Sequence, residues 1–453
     1  MSKFLTVGLI TAFMAFAQAP TTPQPTQPQQ PGSGRARDPG VRDGAAAAGG
    51  AFPSLTMPFR ALFNQGFASF NEVDSVSGTM PGEPDAGLGP TFNMNGCGGC
   101  HNFPAIGGSS PRINPQVAVA TLHGANNVVP SFITSDGPVR EVRLKRNADG
   151  TPDGGVHGLF VITGRADAPV GCRMEQTDFA IQVAHGNASF RIPTPTFGNG
   201  LIEAIPDSTI LANMAANARL KSMFGITGHE NRTGNDGSVT RFGWKAQNKS
   251  LLIFSGEAYA VEQGVTNEVF PNSRETNPAC EQAGGPEDHV DFVSGGTGDV
   301  EKFAMFMRLL APPASVSSYG NVNATSIQRG HDAFVSVGCV LCHTETLMTS
   351  ASAIPALAYQ SVRLFSDLVV HDMGSDLADG VSQGSASGSE FRTAPLWGLG
   401  QRIFFLHDGR SKDLLDTISA HASQGSEAMQ SVRTFGGLAD SSKQDLLNFL
   451  RSL

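Results

Sequence analysis

Two five-residue words, Cys97-Gly-Gly-Cys100-His101 and Cys339-Val-Leu-Cys342-His343, hold four of the six cysteines of this 453-residue chain. At this spacing two thiols can meet the two vinyl groups of one porphyrin as thioethers, and the adjoining imidazole can ligate the iron. Each word therefore reads as the attachment site of one covalent haem c, with His101 and His343 as proximal iron ligands. A structural zinc site would want four ligands, usually two C-x-x-C pairs brought together, a need that His-terminated pairs so far apart meet awkwardly. The remaining cysteines, Cys172 and Cys280, are a candidate disulfide; a third metal site or free thiols are the alternatives.

What such an iron does depends on its sixth position. A strong second ligand makes an electron relay, whereas an open position lets the metal bind peroxide or oxygen. In the second half the candidate distal ligand is His421, downstream of Leu406-His407-Asp-Gly-Arg410; Met373, His371, Met429 and His407 compete with it. In the first half, the step that leads from Phe391 to His421, taken from Phe190, reaches Leu220, which cannot ligate. Met214 and Met223 flank it but fit the apolar face of a helix expected over 209–223, and His123, His157, His185 and His229 fall in insertions. The first haem is therefore expected to be the more accessible and reactive. Near it, Glu203 lies in the apolar stretch Gly200-Leu-Ile-Glu203-Ala-Ile-Pro206. Burial would raise its pKa and suit it to moving a proton as a catalytic acid; a salt bridge to Arg191 is the alternative reading. Trp244, one of two tryptophans, is a candidate for passing electrons between the haems, against the more common role of an aromatic packed in an interface. Two acidic glycine-rich loops, 147–153 and 372–380, read as turns, with calcium as a further cofactor only weakly supported because neither has the spacing of a calcium loop.

The elements that must carry these groups are announced twice. Gln65-Gly66-Phe-Ala-Ser-Phe70 precedes the first word and Arg329-Gly330-His-Asp-Ala-Phe334 the second, each on an expected first helix. Downstream stand Phe190-Arg191-Ile-Pro193 and Phe391-Arg392-Thr-Ala-Pro395, each followed by Gly-x-Gly, and each half closes on an amphipathic helix. Phe303, Phe306 and Leu310 match Leu446, Phe449 and Leu453 at a constant offset of 143. Such repetition argues for a mainly α fold with two tandem cytochrome c-type domains, 51–312 and 313–453. The first is enlarged by insertions with some β-structure, since 139–145, 159–162 and 179–183 alternate or run apolar as strands do.

Residues 1–19, with Lys3, an apolar run from Phe4 to Phe16 and alanines at 15, 17 and 19, have the layout of a secretory signal peptide. Residues 20–50 are rich in Pro, Gln and Gly and read as a flexible linker. No other stretch is apolar enough for a transmembrane anchor, so a periplasmic or secreted location is expected. The net charge of −9 is scattered, and no basic cluster suggests nucleic acid.

Gly87-Leu-Gly-Pro-Thr-Phe-Asn, Arg241-Phe-Gly-Trp-Lys-Ala-Gln, Gly264-Val-Thr-Asn-Glu-Val-Phe-Pro271, Arg392-Thr-Ala-Pro-Leu-Trp-Gly-Leu-Gly and Leu406-His-Asp-Gly-Arg410 together resemble the bacterial di-haem oxidoreductase family over roughly 54–453. Its members are labelled peroxidases or thiol oxidoreductases. The C-terminal half is also similar to the electron-entry domain of di-haem cytochrome c peroxidases, in which a methionine or tyrosine takes the place of His421; the peroxidases' Phe-Trp-Asp-Gly segment is replaced here by 201–207. The resemblance implies a di-haem oxidoreductase in which electrons pass from the C-terminal haem to a more reactive N-terminal one. A redox partner protein such as a small cytochrome or cupredoxin would supply them, and a small-molecule oxidant such as peroxide would take them up. The rival readings are a non-catalytic electron-transfer cytochrome and an accessory redox protein in iron uptake.

Overall fold

The computed structural model describes residues 35–274, 277–281, 287–290 and 296–453; the expected signal peptide and the linker through residue 34 lie outside them. The repeated glycine and phenylalanine landmarks have a packing role that is the same in both halves. Helix Met57–Phe70 crosses helix Asp299–Leu309, and helix Ala324–Ser336 crosses helix Asp440–Ser452. At the first crossing a Cβ on Gly66 would lie 2.3 Å from the Lys302 carbonyl oxygen; at the second, one on Gly330 would lie 1.9 Å from that of Asp445. Only a residue without a side chain lets the backbones approach this closely. Four residues on, Phe70 packs against Phe306 at 4.6 Å and Phe334 against Phe449 at 5.4 Å between ring centroids. Gly200 and Gly400 repeat the device, each abutting a closing-helix carbonyl, Arg308 and Arg451.

The 299–309 helix starts where the sequence supplies acid. Asp288 accepts hydrogen bonds from the amides of Asp299 (2.8 Å) and Val300 (3.0 Å), and Asp299 and Glu301 in the first turn with Arg308 in the last complement the helix dipole. Insertions of the first half build a three-stranded antiparallel sheet in the order Val156–His157, Glu141–Leu144, Ala188–Arg191, with Val142 paired to both His157 and Phe190. In the second half Val370–Asp372 pairs antiparallel with Glu390–Arg392. The fold is thus mixed, 31% helical and 12% strand, where a mainly α chain was expected; the strands are only two to four residues long.

Three local expectations need correction. Residues 179–183 alternate like a strand but form helix Phe179–Ala184, because the Asp178 carboxylate accepts the Ile181 amide (3.0 Å) and caps it. The helix expected over 209–223 is broken into Asp207–Ala215 and Ala218–Phe224 by Asn217 at φ +56°, which leaves Met223 on the surface. Within the expected flexible linker, residues 36–50 are fixed against the C-terminal half. The Asp38 carboxylate binds the fully buried Arg451 guanidinium through two hydrogen bonds, 2.8 and 2.6 Å, and the Arg42 amide donates to the Gly400 carbonyl at 2.7 Å.

Nor does packing part at Pro312-Pro313. Residues 36–453 form one compact unit. The core around Phe303 and Phe306 takes in Leu347, Leu357, Val362, Leu364 and Leu368 from beyond that point, while a second core gathers Ala36 with Phe334, Phe365, Phe449 and Leu453.

Candidate functional site: two thiol- and imidazole-lined cavities

Each Cys-x-x-Cys-His word winds into one helical turn. The His101 amide donates to the Cys97 carbonyl (3.0 Å) and the His343 amide to that of Cys339 (2.9 Å), so thiols and imidazole share one side of the turn. Gly98 permits this at the first word, where a Cβ would strike the Asn71 side chain at 2.6 Å. Gly338 enters the second at φ +88°, and a Cβ there would collide with the Phe224 ring. The landmark phenylalanines reach back to the imidazoles, Phe70 to His101 at 5.9 Å and Phe334 to His343 at 6.4 Å.

Both imidazoles are oriented alike. Nδ1 of His101 faces the Gly108 carbonyl (3.1 Å), and Nδ1 of His343 that of Phe365 (3.0 Å). A carbonyl can only accept, so the proton sits on Nδ1 and Nε2 keeps a lone pair for a metal. Burial pushes both imidazoles down to about 4, which keeps them neutral and ligand-competent near pH 7. The four thiols are not in disulfides, and burial raises all of them, Cys339 to about 12.

Each word opens onto a cavity, and the two cavities differ. The one beside Cys339, Cys342 and His343 measures about 220 Å³ and is also lined by His421, His407, His371 and Met373. His421 caps the end of helix Leu414–Ala420. Its Nδ1 faces the Thr417 carbonyl (2.7 Å), leaving Nε2 free as on His343, and its charge bears on His343. Of the competitors, His371 has both ring nitrogens on carboxylates, Asp367 at 2.9 Å and Glu427 at 2.7 Å, and offers no free lone pair. His407 lies flat on Phe391, ring centroids 4.2 Å apart, and Met429 lines neither cavity.

The cavity beside Cys97, Cys100 and His101 measures about 110 Å³, and no other histidine lines it. His123 and His229 face carboxylates, Glu83 at 3.3 Å and Glu390 at 2.9 Å, and His157 faces Asp153 at 3.0 Å. The acids in its wall are Glu141, Glu257 and Glu262, and Glu203 is not among them. The Glu203 carboxylate is bound to Arg308 at 2.5 and 3.0 Å and accepts the Leu251 amide at 2.8 Å, so it caps a helix and lies outside both cavities. Glu262 sits on a wide π-helical turn, Tyr259–Gln263, of the sort that often marks functional positions. Burial, with Glu141 and Glu257 nearby, raises its carboxyl to about 8. Sequence reading missed it because its neighbours come from remote segments; the only local hint was its place just ahead of Gly264-Val-Thr-Asn.

Trp244 lines both cavities. Its Nε1 donates to the Ile192 carbonyl (3.0 Å), and its ring meets that of His407 edge-on at 6.4 Å. Cys172 and Cys280 are joined in a disulfide that spans 108 residues. The two acidic loops spend their carboxylates elsewhere, Asp153 on Arg274 and His157, Asp379 on Arg191 and Lys245. Among the described residues, the one group of three close ligand-type side chains is Cys342, Asp367 and His371, not a calcium-like set.

The donor sets fit haem. Each cavity pairs two thiols with an imidazole whose Nδ1 is held by a backbone carbonyl, and each has a lining arginine with a guanidinium nitrogen buried without a partner, Nε of Arg191 in the first and Nη2 of Arg402 in the second. A fold with two such cavities is that of a di-haem protein. The chain belongs to the di-haem oxidoreductase family: the family model described as "Di-haem oxidoreductase, putative peroxidase" matches residues 142–453. The second haem word lies inside that match and the first lies upstream of it. No curated protein matches the chain. Among solved structures, hydrazine synthase of Kuenenia stuttgartiensis, pressurised with 20 bar xenon, aligns at 19% identity and a TM-score of 0.27, over 44% of this chain and 60% of that one. No described helix is long and apolar enough to cross a membrane.

Proposed function

We propose that the protein is an exported di-haem c oxidoreductase with divided labour: a relay centre held by Cys339, Cys342, His343 and His421, and a reactive centre held by Cys97, Cys100 and His101. The observation that carries the reading is the unequal supply of imidazoles: His343, His371, His407 and His421 line the second cavity, of which His343 and His421 keep Nε2 free of other partners, whereas His101 alone lines the first. When bound, haem supplies one-electron chemistry and, where its sixth position is open, a Lewis-acidic iron for a small oxidant such as peroxide.

The chain's own residues supply the rest. Reducing peroxide to two waters consumes two electrons and two protons. Glu262, whose carboxyl stays protonated up to about pH 8, holds a proton at the wall of the first cavity and could supply one of the two to peroxide that enters it. Trp244, shared by both cavity walls, bridges the two centres for electrons. A small redox protein would deliver those electrons at the second centre. Export accords with the Cys172–Cys280 disulfide, a bond at home in oxidising compartments.

Spectroscopy of the purified protein tests the reading. One low-spin and one high-spin haem are expected, with peroxide perturbing the high-spin signal alone. His421→Gly should turn the low-spin centre high-spin. Two low-spin haems in every redox state, indifferent to peroxide and carbon monoxide, would overturn the enzyme reading in favour of a relay cytochrome.

A further inference from the structure

Two arginines in the wall of the second cavity, Arg392 and Arg402, form no ion pair, and the Asp367 carboxylate acts on Arg392 only from a longer range. Each lines the cavity, and among the described residues neither has a carboxylate within ion-pair distance. Arg392 donates Nε to the Gly243 carbonyl (3.0 Å), and Arg402 donates Nε to that of Phe404 (3.0 Å). Nη2 of Arg402 is buried with no partner at all. Burial and their mutual repulsion lower Arg392 to about 10, and burial alone lowers Arg402 to about 10, so both remain cations at neutral pH.

The first cavity is lined by three arginines, of which Arg140 is held by the Asp408 and Phe132 carbonyls, 3.1 and 2.9 Å, and the other two are ion-paired. Arg191, which occupies the place in the Phe-Arg landmark that Arg392 has in the second half, is bound to Asp379 at 2.7 Å, and Arg143 to Glu141 at 3.0 Å. A pair of buried guanidinium groups without an ion-pair partner is costly to desolvate unless something bound in the cavity answers them. The fork of a guanidinium matches the two oxygens of a carboxylate. A haem tethered through its vinyl groups carries two carboxylates, its propionates, on the opposite edge.

Resting on the haem reading above, we propose that Arg392 and Arg402 are the receptors for the propionates of the second haem. Arg402 also lies over the Trp244 ring, 5.9 Å from its guanidinium carbon to the centroid, so a propionate held by Arg402 would lie on the side of the tryptophan shared with the first cavity. Its main chain is fixed by Arg451, whose Nη1 donates to the Arg402 carbonyl at 3.0 Å.

The test uses the holoprotein, because thioether linkage keeps the haem in place when the arginines are changed. Resonance Raman propionate-bending bands and the midpoint potential of the low-spin haem are compared among wild type, Arg392→Gln, Arg402→Gln and Arg402→Lys. Both Gln variants should shift a propionate band, and Arg402→Gln should lower the reduction equilibrium constant about tenfold, equivalent to about 59 mV for a one-electron couple. Arg402→Lys, which keeps the charge and loses the fork, should hold the potential near wild type while the band still moves. Propionate bands unchanged in all three variants would overturn the assignment, whatever the potentials do. Peptide mass analysis separates this from failure of the parent reading: no haem on the Cys339–Cys342 peptide of wild type would sink both, whereas a haem there with unmoved bands sinks this one alone.

Discussion

Replacing Gly330 with alanine tests whether the repeated glycine exists to let two helices touch. The new Cβ would fall 1.9 Å from the Asp445 carbonyl oxygen and 2.7 Å from Cβ of Phe449. The nearer obstacle is backbone, so no side chain can swing aside, and the helices must separate by about 1.5 Å to restore ordinary contact. Overpacking of this kind costs about 1–3 kcal/mol, against the roughly 0.5–1 kcal/mol that alanine gains over glycine within a helix. The expected net loss is about 1–2 kcal/mol. Gly436 provides the control. It ends helix Met429–Gly436 and nothing lies within 4 Å of its would-be Cβ, so Gly436→Ala should be neutral or stabilising. The assay is the denaturant midpoint by far-ultraviolet circular dichroism at unchanged slope. Gly330→Ala as stable as wild type, or Gly436→Ala as damaging as Gly330→Ala, would refute the close-contact account.

Three further outcomes follow from the charges and the disulfide. Glu262, Glu72 and Asp74 are raised by burial to about 8, 8 and 7. Each holds its proton in the fold at pH values where the unfolded chain has released it, so stability should fall as pH rises from about 4 to 8 and level off above; Glu262→Gln should flatten that slope in denaturation measured at pH 5 and pH 8. His371→Gln should strand Asp367 and Glu427 and cost about 3–5 kcal/mol, yet leave the low-spin spectrum of the second haem unchanged, because His371 has no nitrogen free for iron. Replacing Cys172 and Cys280 with serine should lower the denaturant midpoint by the equivalent of about 4–5 kcal/mol on the chain-entropy account for so long a loop.

The parts of the site legible in sequence were those written in short-range spacing. A Cys-x-x-Cys-His word folds on itself within one turn, and a glycine followed by a phenylalanine four residues later states both a helix crossing and a ring aimed at the imidazole. The groups that sequence reading misplaced depend on partners far along the chain. Glu203 stands in an apolar stretch that suggests either an acid near iron or a salt bridge to Arg191, and Arg308 from the closing helix claims it instead. Glu262 and Arg402 gain their meaning only when strands and turns from distant segments leave them facing a cavity. The alternation of 179–183 was overridden by one capping aspartate just outside it. The boundary at 312–313 was read from repetition, which records a shared pattern of elements and not which elements end up touching.

The seating of Asp38 on Arg451 has a practical consequence for anyone dividing the molecule. A fragment cut from residue 313 onward would carry an intact Cys-x-x-Cys-His word, the histidines proposed as iron ligands, and its final helix. It would also carry a sheathed guanidinium stripped of its anion and a turn at 399–402 without the strap that backs it. Excision guided by the haem words alone would therefore yield an unstable half, and a usable miniature of the second centre would need a short peptide from the far N-terminal side supplied alongside.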